Sequence, residues 1–378
     1  MQPRADTVWI VDQAKSLGFD LAGVVRAEKF PELARTPEWL ARGYAGEMKY
    51  LADPRRGDPQ AAMLGIRSVI VGLLNYNTER PFSTDPALPI EEQKPSGWIS
   101  RYAWGDDYHD VLRERLNALV ESLHDRFTDH FETRAYVDTG PVQERVLAKY
   151  AGLGWLGKNT LLLNQMLGSL FFLGVILTTL DLEPTLSANE LPPPDLCGSC
   201  TRCLDACPTQ AFVEPYVMDA RKCISYLTIE LRGAIPEEFR EPMGNHVFGC
   251  DICQDVCPWN RRAPISTIPQ FQPRVFLSQE ENGPEAEVPL QDESLYLPRL
   301  EWLLGLSETT FRELFRGSPV KRTKWRGMMR NACLALGNSS LRRGMAGCDR
   351  IHTLLERLAA SEDQVIAESA KWALSRIQ

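Results

Sequence analysis

CGSCTRCLDACP, residues 197–208, reads C-x2-C-x2-C-x3-C-P, the rhythm of a bacterial ferredoxin loop. Three thiolates at two-residue spacing can meet three irons of one 4Fe–4S cluster from a single tight turn. The x3 step and Pro208 swing the fourth thiol, Cys207, away, and in two-cluster ferredoxins that cysteine ligates the other cluster. A second run, Cys250-x2-Cys253-x3-Cys257-Pro258, lacks its first member, which Cys223 upstream can supply. The crossed assignment gives Cys197, Cys200, Cys203 and Cys257 to one cluster, and Cys207, Cys223, Cys250 and Cys253 to the other. Zinc needs only four soft ligands and has no use for this rhythm. Cys333 and Cys348 lie outside it and read as small buried hydrophobes.

Eight of the ten cysteines fall in this one segment of a 378-residue chain, a distribution that points to metal or redox chemistry rather than to a disulfide framework. The N-terminus, MQPRADTVWIVDQAKSLGFD, has no continuous apolar core or small-residue cleavage site, so the expected location is the cytoplasm. The run MLGSLFFLGVILTTL, 166–180, is fifteen residues long. A bilayer span needs roughly 20, and the β-branched residues favour a buried strand. The net charge of -8 argues against a general nucleic-acid binder, but residues 316–343 hold eight Lys or Arg and no acid, which leaves the rest near -16.

The length suits two or three domains. Residues 1–185 alternate helical and strand patterns: a helix near 5–17, strands LAGVV and SVIVGLL, a helix over 107–127, a strand TRAYVD, the helix VQERVLAKY, and strands TLLLN and SLFFLGVILTT. This predicts an α+β domain built on a mixed sheet. ELPPPD, 190–195, marks a boundary, so the cysteine module is placed at 186–265. A Pro- and Glu-bearing stretch then leads, within 266–378, to paired helices with the small-residue and Leu pattern of stacked helical repeats.

Between VQERVLAKY and TLLLN lies AGLGWLGKNT, 151–160, which spells both a GxGxxG and a near P-loop. Both fingerprints require a strand before and a helix after. Here the order is inverted, so a nucleotide cradle is excluded.

Several stretches together carry a resemblance: RRGDP (55–59), RYAWGDDYH (101–109), VDTGPVQER (137–145), GLGWLGKNT, the two cysteine runs with CDICQDVCPWN, and WRGMMRNACLALGN (325–338). In this order they resemble the epoxyqueuosine reductases, cobalamin-dependent iron–sulfur enzymes related to reductive dehalogenases. The resemblance covers nearly the whole chain. It implies a nitroreductase-like cobalamin-binding domain, a two-cluster ferredoxin-like domain and a C-terminal HEAT-like helical domain. It also implies reduction of the epoxide of epoxyqueuosine at the wobble position of tRNA, with loss of the oxygen as water. The implied cofactors are two 4Fe–4S clusters and cobalamin. The implied partners are tRNA carrying epoxyqueuosine and an unidentified low-potential electron donor, with no membrane and a monomeric chain.

An isolated Asp before Gly-Pro reads first as a turn or a helix cap, but by the same resemblance Asp138 matches the family's catalytic aspartate. A carboxyl that donates a proton near neutrality is expected to be buried against the corrin face. No D-x-H-x-x-G occurs, so neither His109 nor His246 is expected to ligate cobalt. Arg56, Arg101, Asp138, Lys158, Asn159, Ser169, Ser225 and Asp251 are the implied cobalamin contacts. Lys321, Arg322, Lys324, Arg326 and Arg330, in the basic stretch with Trp325, are the expected tRNA phosphate contacts. Two other functions fit the clusters: a different cobalamin-dependent reductase, such as a dehalogenase, and a noncatalytic electron carrier.

Overall fold

SVIVGLLN, an apolar run too short for a core helix, forms the centre of a four-stranded sheet in the computed structural model, which describes residues 3–86, 88, 94–276, 292–345 and 347–377. The strands are β1 (Leu21–Arg26), β2 (Ser68–Asn75), β3 (Thr133–Tyr136) and β4 (Phe171–Thr178), in the order β1-β2-β4-β3. β2 is buried at every position. Every pairing is antiparallel, with Arg26 opposite Ser68, Asn75 opposite Phe171 and Thr133 opposite Thr178. The expected mixed sheet is therefore corrected. The excursion after each of β1 and β2 brings the chain back to the end it left, so the next neighbour runs the other way.

The period of two along a strand divides the core. Ile70, Leu74 and Ile176 face one layer, with Ile10 and Ala14 of α1 (Pro3–Ser16) and Leu112, Leu116, Leu119 and Leu123 of α2 (Tyr108–Arg126). Val69, Val71, Val175 and Leu177 face the other, with Val146 and Leu147 of α3 (Glu144–Tyr150). The fifteen-residue apolar run thus contains β4, and no helix among the described residues is long and apolar enough to cross a membrane.

After α3 the glycine-rich stretch makes a hairpin, pairing Trp155–Leu156 with Leu162–Leu163. Gly152 takes a φ of 82°, and a Cβ on Gly154 would lie 2.1 Å from the Leu163 carbonyl oxygen. These glycines let two backbones cross closely.

The C-terminal part stacks α4 (Lys324–Gly337), α5 (Cys348–Ala359) and α6 (Gln364–Arg376) on shorter helices at Leu300–Gly305 and Glu308–Leu314. Cys333 and Cys348 are buried there, as their sequence context predicts. This core also takes in Trp98, Ile99 and Trp104 from the first part and Val247 and Phe248 from the cysteine segment. Trp98–Ile99 and His246–Phe248 pair as short parallel strands. The three stretches of sequence therefore share apolar surface.

Candidate active site

RYAWGDDYH turns into α2 at Asp107, whose side chain caps the helix by accepting from the His109 backbone N–H at 3.2 Å. Asp107 Oδ1 also lies 2.7 Å from His109 Nδ1, and its Oδ2 accepts from Lys321 Nζ at 2.8 Å. Burial would raise the Asp107 pKa, but the bonds from His109 and Lys321 outweigh it and hold the carboxyl well below the usual carboxylate range. A carboxylate on Nδ1 assigns the proton to that nitrogen. Nε2 then faces Asp138 Oδ2 at 3.9 Å.

Between them stands Tyr108. Its ring is stacked on His109 at 4.1 Å and on Phe172 at 4.3 Å, and its hydroxyl donates to Asp138 Oδ2 at 3.0 Å. Burial, then the charge of Asp138, keeps the phenol protonated far above neutrality. Asp138 sits in the turn between β3 and α3 with a φ of 57°, a left-handed backbone that Asp and Asn adopt more readily than other side chains. Its carboxylate is 69% exposed. The expected burial is not supplied by the protein's own side chains, because the residue lies in a turn at the rim of the sheet.

Six residues on, Glu144 opens α3 with Oε1 enclosed and without a hydrogen-bond partner among the described residues. Burial, then the charge of Asp138, pushes its pKa up to about 7. On another side Tyr50 is 47% exposed, with the guanidiniums of Arg56 and Arg322 6.0 and 5.7 Å from its ring centre. Arg56 also donates to the Val142 carbonyl at 3.3 Å, at the end of the Asp138 turn.

The mutual electrostatics of the cysteines follow the two expected sets except at Cys253, which feels Cys203 as well as Cys223 and Cys207. Cys257 feels Cys197 and Cys200, and Cys203 feels Cys257 and Cys197. Cys250 feels Cys223 and Cys253, and Cys223 feels Cys207. Burial first, and then this repulsion, raises the thiols of Cys203, Cys250, Cys253 and Cys257, that of Cys203 to about 11. Among the described residues no three metal-binding side chains converge on a single ion. Thiolates that ligate separate irons of a cluster stand farther apart than ligands of one ion, so two sets of four fit two 4Fe–4S clusters.

Several residues expected at a ligand are spent on the protein itself. Arg101 is 1% exposed, and its guanidinium donates to the carbonyls of Thr78, Arg80 and Pro81 and to Thr78 Oγ1, at 2.7–3.1 Å. Asp251, also 1% exposed, accepts from Trp98 Nε1, the Ser100 hydroxyl and the Arg101 backbone N–H. Lys158 reaches the carbonyls of Gly198 and Cys200 at 2.6 and 3.0 Å. Asn159 lies 3.4 Å from the Cys253 carbonyl. The glycine-rich hairpin therefore clamps the cysteine loops through Lys158 and Asn159. The Ser169 hydroxyl accepts from Asn260 and Gln254 at 3.0 and 3.1 Å, tying β4 to the second cysteine run. Arg56, Lys158 and Ser225 remain partly exposed.

The basic stretch divides as well. Arg330 is 1% exposed and donates to the carbonyls of Leu227, Leu231 and Gly233 at 2.5–2.8 Å. It joins α4 to the cysteine module and is no part of a phosphate surface. Lys321, Arg322 and Arg326 are exposed or partly so, but paired with Asp107, Glu230 and Asp363. Lys324 is exposed and has no ion-pair partner among the described residues. The absence of acids within this stretch hides acids brought to it by folding.

Sequence reasoning missed Tyr108 and Tyr50 as site residues and saw His109 only as a cobalt ligand to reject. The adjacent Asp-Tyr-His of RYAWGDDYH was the available signal: an N-cap followed at once by two aromatic, polar side chains at the head of a helix.

The description "4Fe-4S double cluster binding domain" matches residues 196–260, and "Epoxyqueuosine reductase QueG, DUF1730" matches residues 56–139. An epoxyqueuosine reductase of Gloeobacter violaceus is 44% identical over 337 residues, covering 87% of this chain and 95% of its own. That of Escherichia coli K12 is 37% identical over 362 residues, covering 95% and 86%. The crystal structure of an epoxyqueuosine reductase with an epoxyqueuosine-modified tRNA-Tyr stem loop superposes with a TM-score of 0.82 at 31% identity, covering 98% of this chain and 90% of that one.

Proposed function

This chain belongs to the epoxyqueuosine reductase family, and from that premise we propose that it reduces epoxyqueuosine to queuosine in tRNA, with Asp138 as the proton donor. The observation that carries the reading is the Asp138 carboxylate, exposed yet held by Tyr108 Oη at 3.0 Å with His109 Nε2 at 3.9 Å behind it. The net change is an epoxide to an alkene, in which both C–O bonds break, two electrons and two protons enter, and water leaves. An alkoxide is a poor leaving group, so a proton must reach the oxygen as the first C–O bond opens.

Asp138 supplies that proton. Tyr108 fixes the carboxyl in place, His109 is oriented behind it through Nδ1 by Asp107, and the exposed Asp138 carboxylate regains a proton from solvent for the second transfer. Cobalamin, which Arg56, Ser225 and Asp138 would help to hold, would supply two-electron reducing chemistry at cobalt, with the clusters as one-electron sources. Cys197, Cys200, Cys203 and Cys257 hold one cluster, and Cys207, Cys223, Cys250 and Cys253 hold the other. Of the implied corrin contacts, Arg56, Lys158 and Ser225 join Asp138 as those still at least partly exposed. Residues 1–185 then correspond to the nitroreductase-like cobalamin domain, 186–265 to the ferredoxin-like domain and 266–378 to the HEAT-like domain. Lys321, Arg322, Lys324 and Arg326 border the tRNA, with Tyr50 beside them.

The test is anaerobic incubation of the protein with cobalamin, a low-potential reductant and tRNA carrying epoxyqueuosine, followed by nucleoside mass analysis. The expected product has lost one oxygen atom. An unchanged nucleoside, with cobalamin and both clusters bound, would overturn the reading.

A further inference from the structure

Trp155, in the hairpin of the glycine-rich stretch, has no role in the chemistry above. It is 2% exposed, and its indole Nε1–H is wholly enclosed with no hydrogen-bond partner among the described residues. Native proteins satisfy nearly all buried donors, so a donor of this kind calls for an acceptor. Sulfur is the acceptor chemistry beside it: Trp155 packs in a small cluster with Leu163, Leu196, Trp259, Cys197 and Cys257. These two thiols come from different cysteine runs and belong to the same set of four.

The setting is rigid. Trp259 meets the Trp155 ring edge-on at 5.2 Å and 76°. Three residues along, Lys158 holds the carbonyls of Gly198 and Cys200, so the hairpin and the first cysteine loop move together. In the other set, Cys207 Sγ already accepts from the Ala211 backbone N–H at 3.3 Å.

We propose that the Trp155 indole N–H donates a hydrogen bond to sulfur at the cluster held by Cys197, Cys200, Cys203 and Cys257, and so makes that cluster easier to reduce. The inference rests on the reading that the two thiol sets hold two clusters. Adding an electron makes the cluster and its thiolates more negative, so a donor aimed at sulfur favours the reduced form. Trp155 is on this account a positioning and tuning residue that touches no substrate.

The experiment is an EPR-monitored redox titration of the anaerobically reconstituted wild type and Trp155→Phe, with iron and sulfide measured on each. The reduction equilibrium of one cluster is expected to fall about three- to tenfold in the variant, a downward shift of roughly 30–60 mV for one electron, while the other cluster holds its potential. Unchanged potentials in a fully loaded variant would overturn the proposal. Should Trp155→Phe fail to load, pulsed EPR of reduced wild type and Trp259→Phe, both labelled with indole-15N tryptophan, decides the matter. A 15N coupling in both supports the bond, and its absence from either refutes it. A wild type that assembles no clusters would instead remove the functional reading itself.

Discussion

Asp138 was legible in the sequence as a residue type before a Gly-Pro turn, but its partners were not. Tyr108 and His109 come from a helix start 30 and 29 residues earlier, and only folding stacks Tyr108 against Phe172 and aims both at one carboxylate oxygen. The same limit misled in the opposite direction at Arg101 and Asp251. Each was implied as a corrin contact by the resemblance, yet Asp251 Oδ2 receives the Arg101 backbone N–H across 150 residues. Glu144 offers a residue-level test. Its pKa of about 7 lies above the ordinary 4.5, so the folded protein binds more protons than the unfolded chain between those values and loses stability as pH rises through them. Glu144→Gln removes that titration. Urea unfolding at pH 5 and pH 8 is expected to show the variant gaining on wild type by up to about 3 kcal/mol across the interval. Parallel stabilities at both values would show that the enclosed oxygen is matched in the unfolded chain.

At the scale of elements, the cysteine spacing announced the two-run module, because ligand geometry constrains spacing directly. The crossed grouping predicts that Cys257→Ala, although in the second run, removes the cluster of the first. Bound iron should fall by about half, with the remaining cluster keeping the EPR signature of the set containing Cys250. Loss of both clusters at once, with the protein still folded, would contradict the division. The basic stretch was expected to supply five phosphate contacts, and one of them, Arg330, is buried. Alternation of helical faces put Arg330 inside and Lys324 outside. Neutralising Arg322 and Lys324 together should flatten the salt dependence of tRNA binding by about one unit of slope for each phosphate no longer neutralised. Arg330→Ala leaves the carbonyls of Leu227, Leu231 and Gly233 without their donor, and is expected to cost at least about 3 kcal/mol of folding stability. An unaltered slope in the first variant, or a stable fold in the second, would reverse these roles.

For the whole molecule, the order of α+β, cysteine and helical segments could be read along the chain, whereas their common core could not. Trp98 and Trp104 reveal nothing by spacing about packing against helices more than 200 residues later. That packing brings Lys321 of the C-terminal part onto Asp107, and through His109 the ion pair reaches the proton donor. The glycine-rich stretch shows the same principle, since Lys158 resembles a phosphate ligand but clamps a cysteine loop. The central claim is that this assembly delivers a proton through Asp138 to a substrate oxygen. Single-turnover reduction of epoxyqueuosine in tRNA by Asp138→Asn, compared with wild type at matched cobalamin, iron and tRNA occupancy, tests it most directly. The predicted result is a rate lower by at least about 100-fold with tRNA affinity retained. A wild-type rate in that variant would contradict the account.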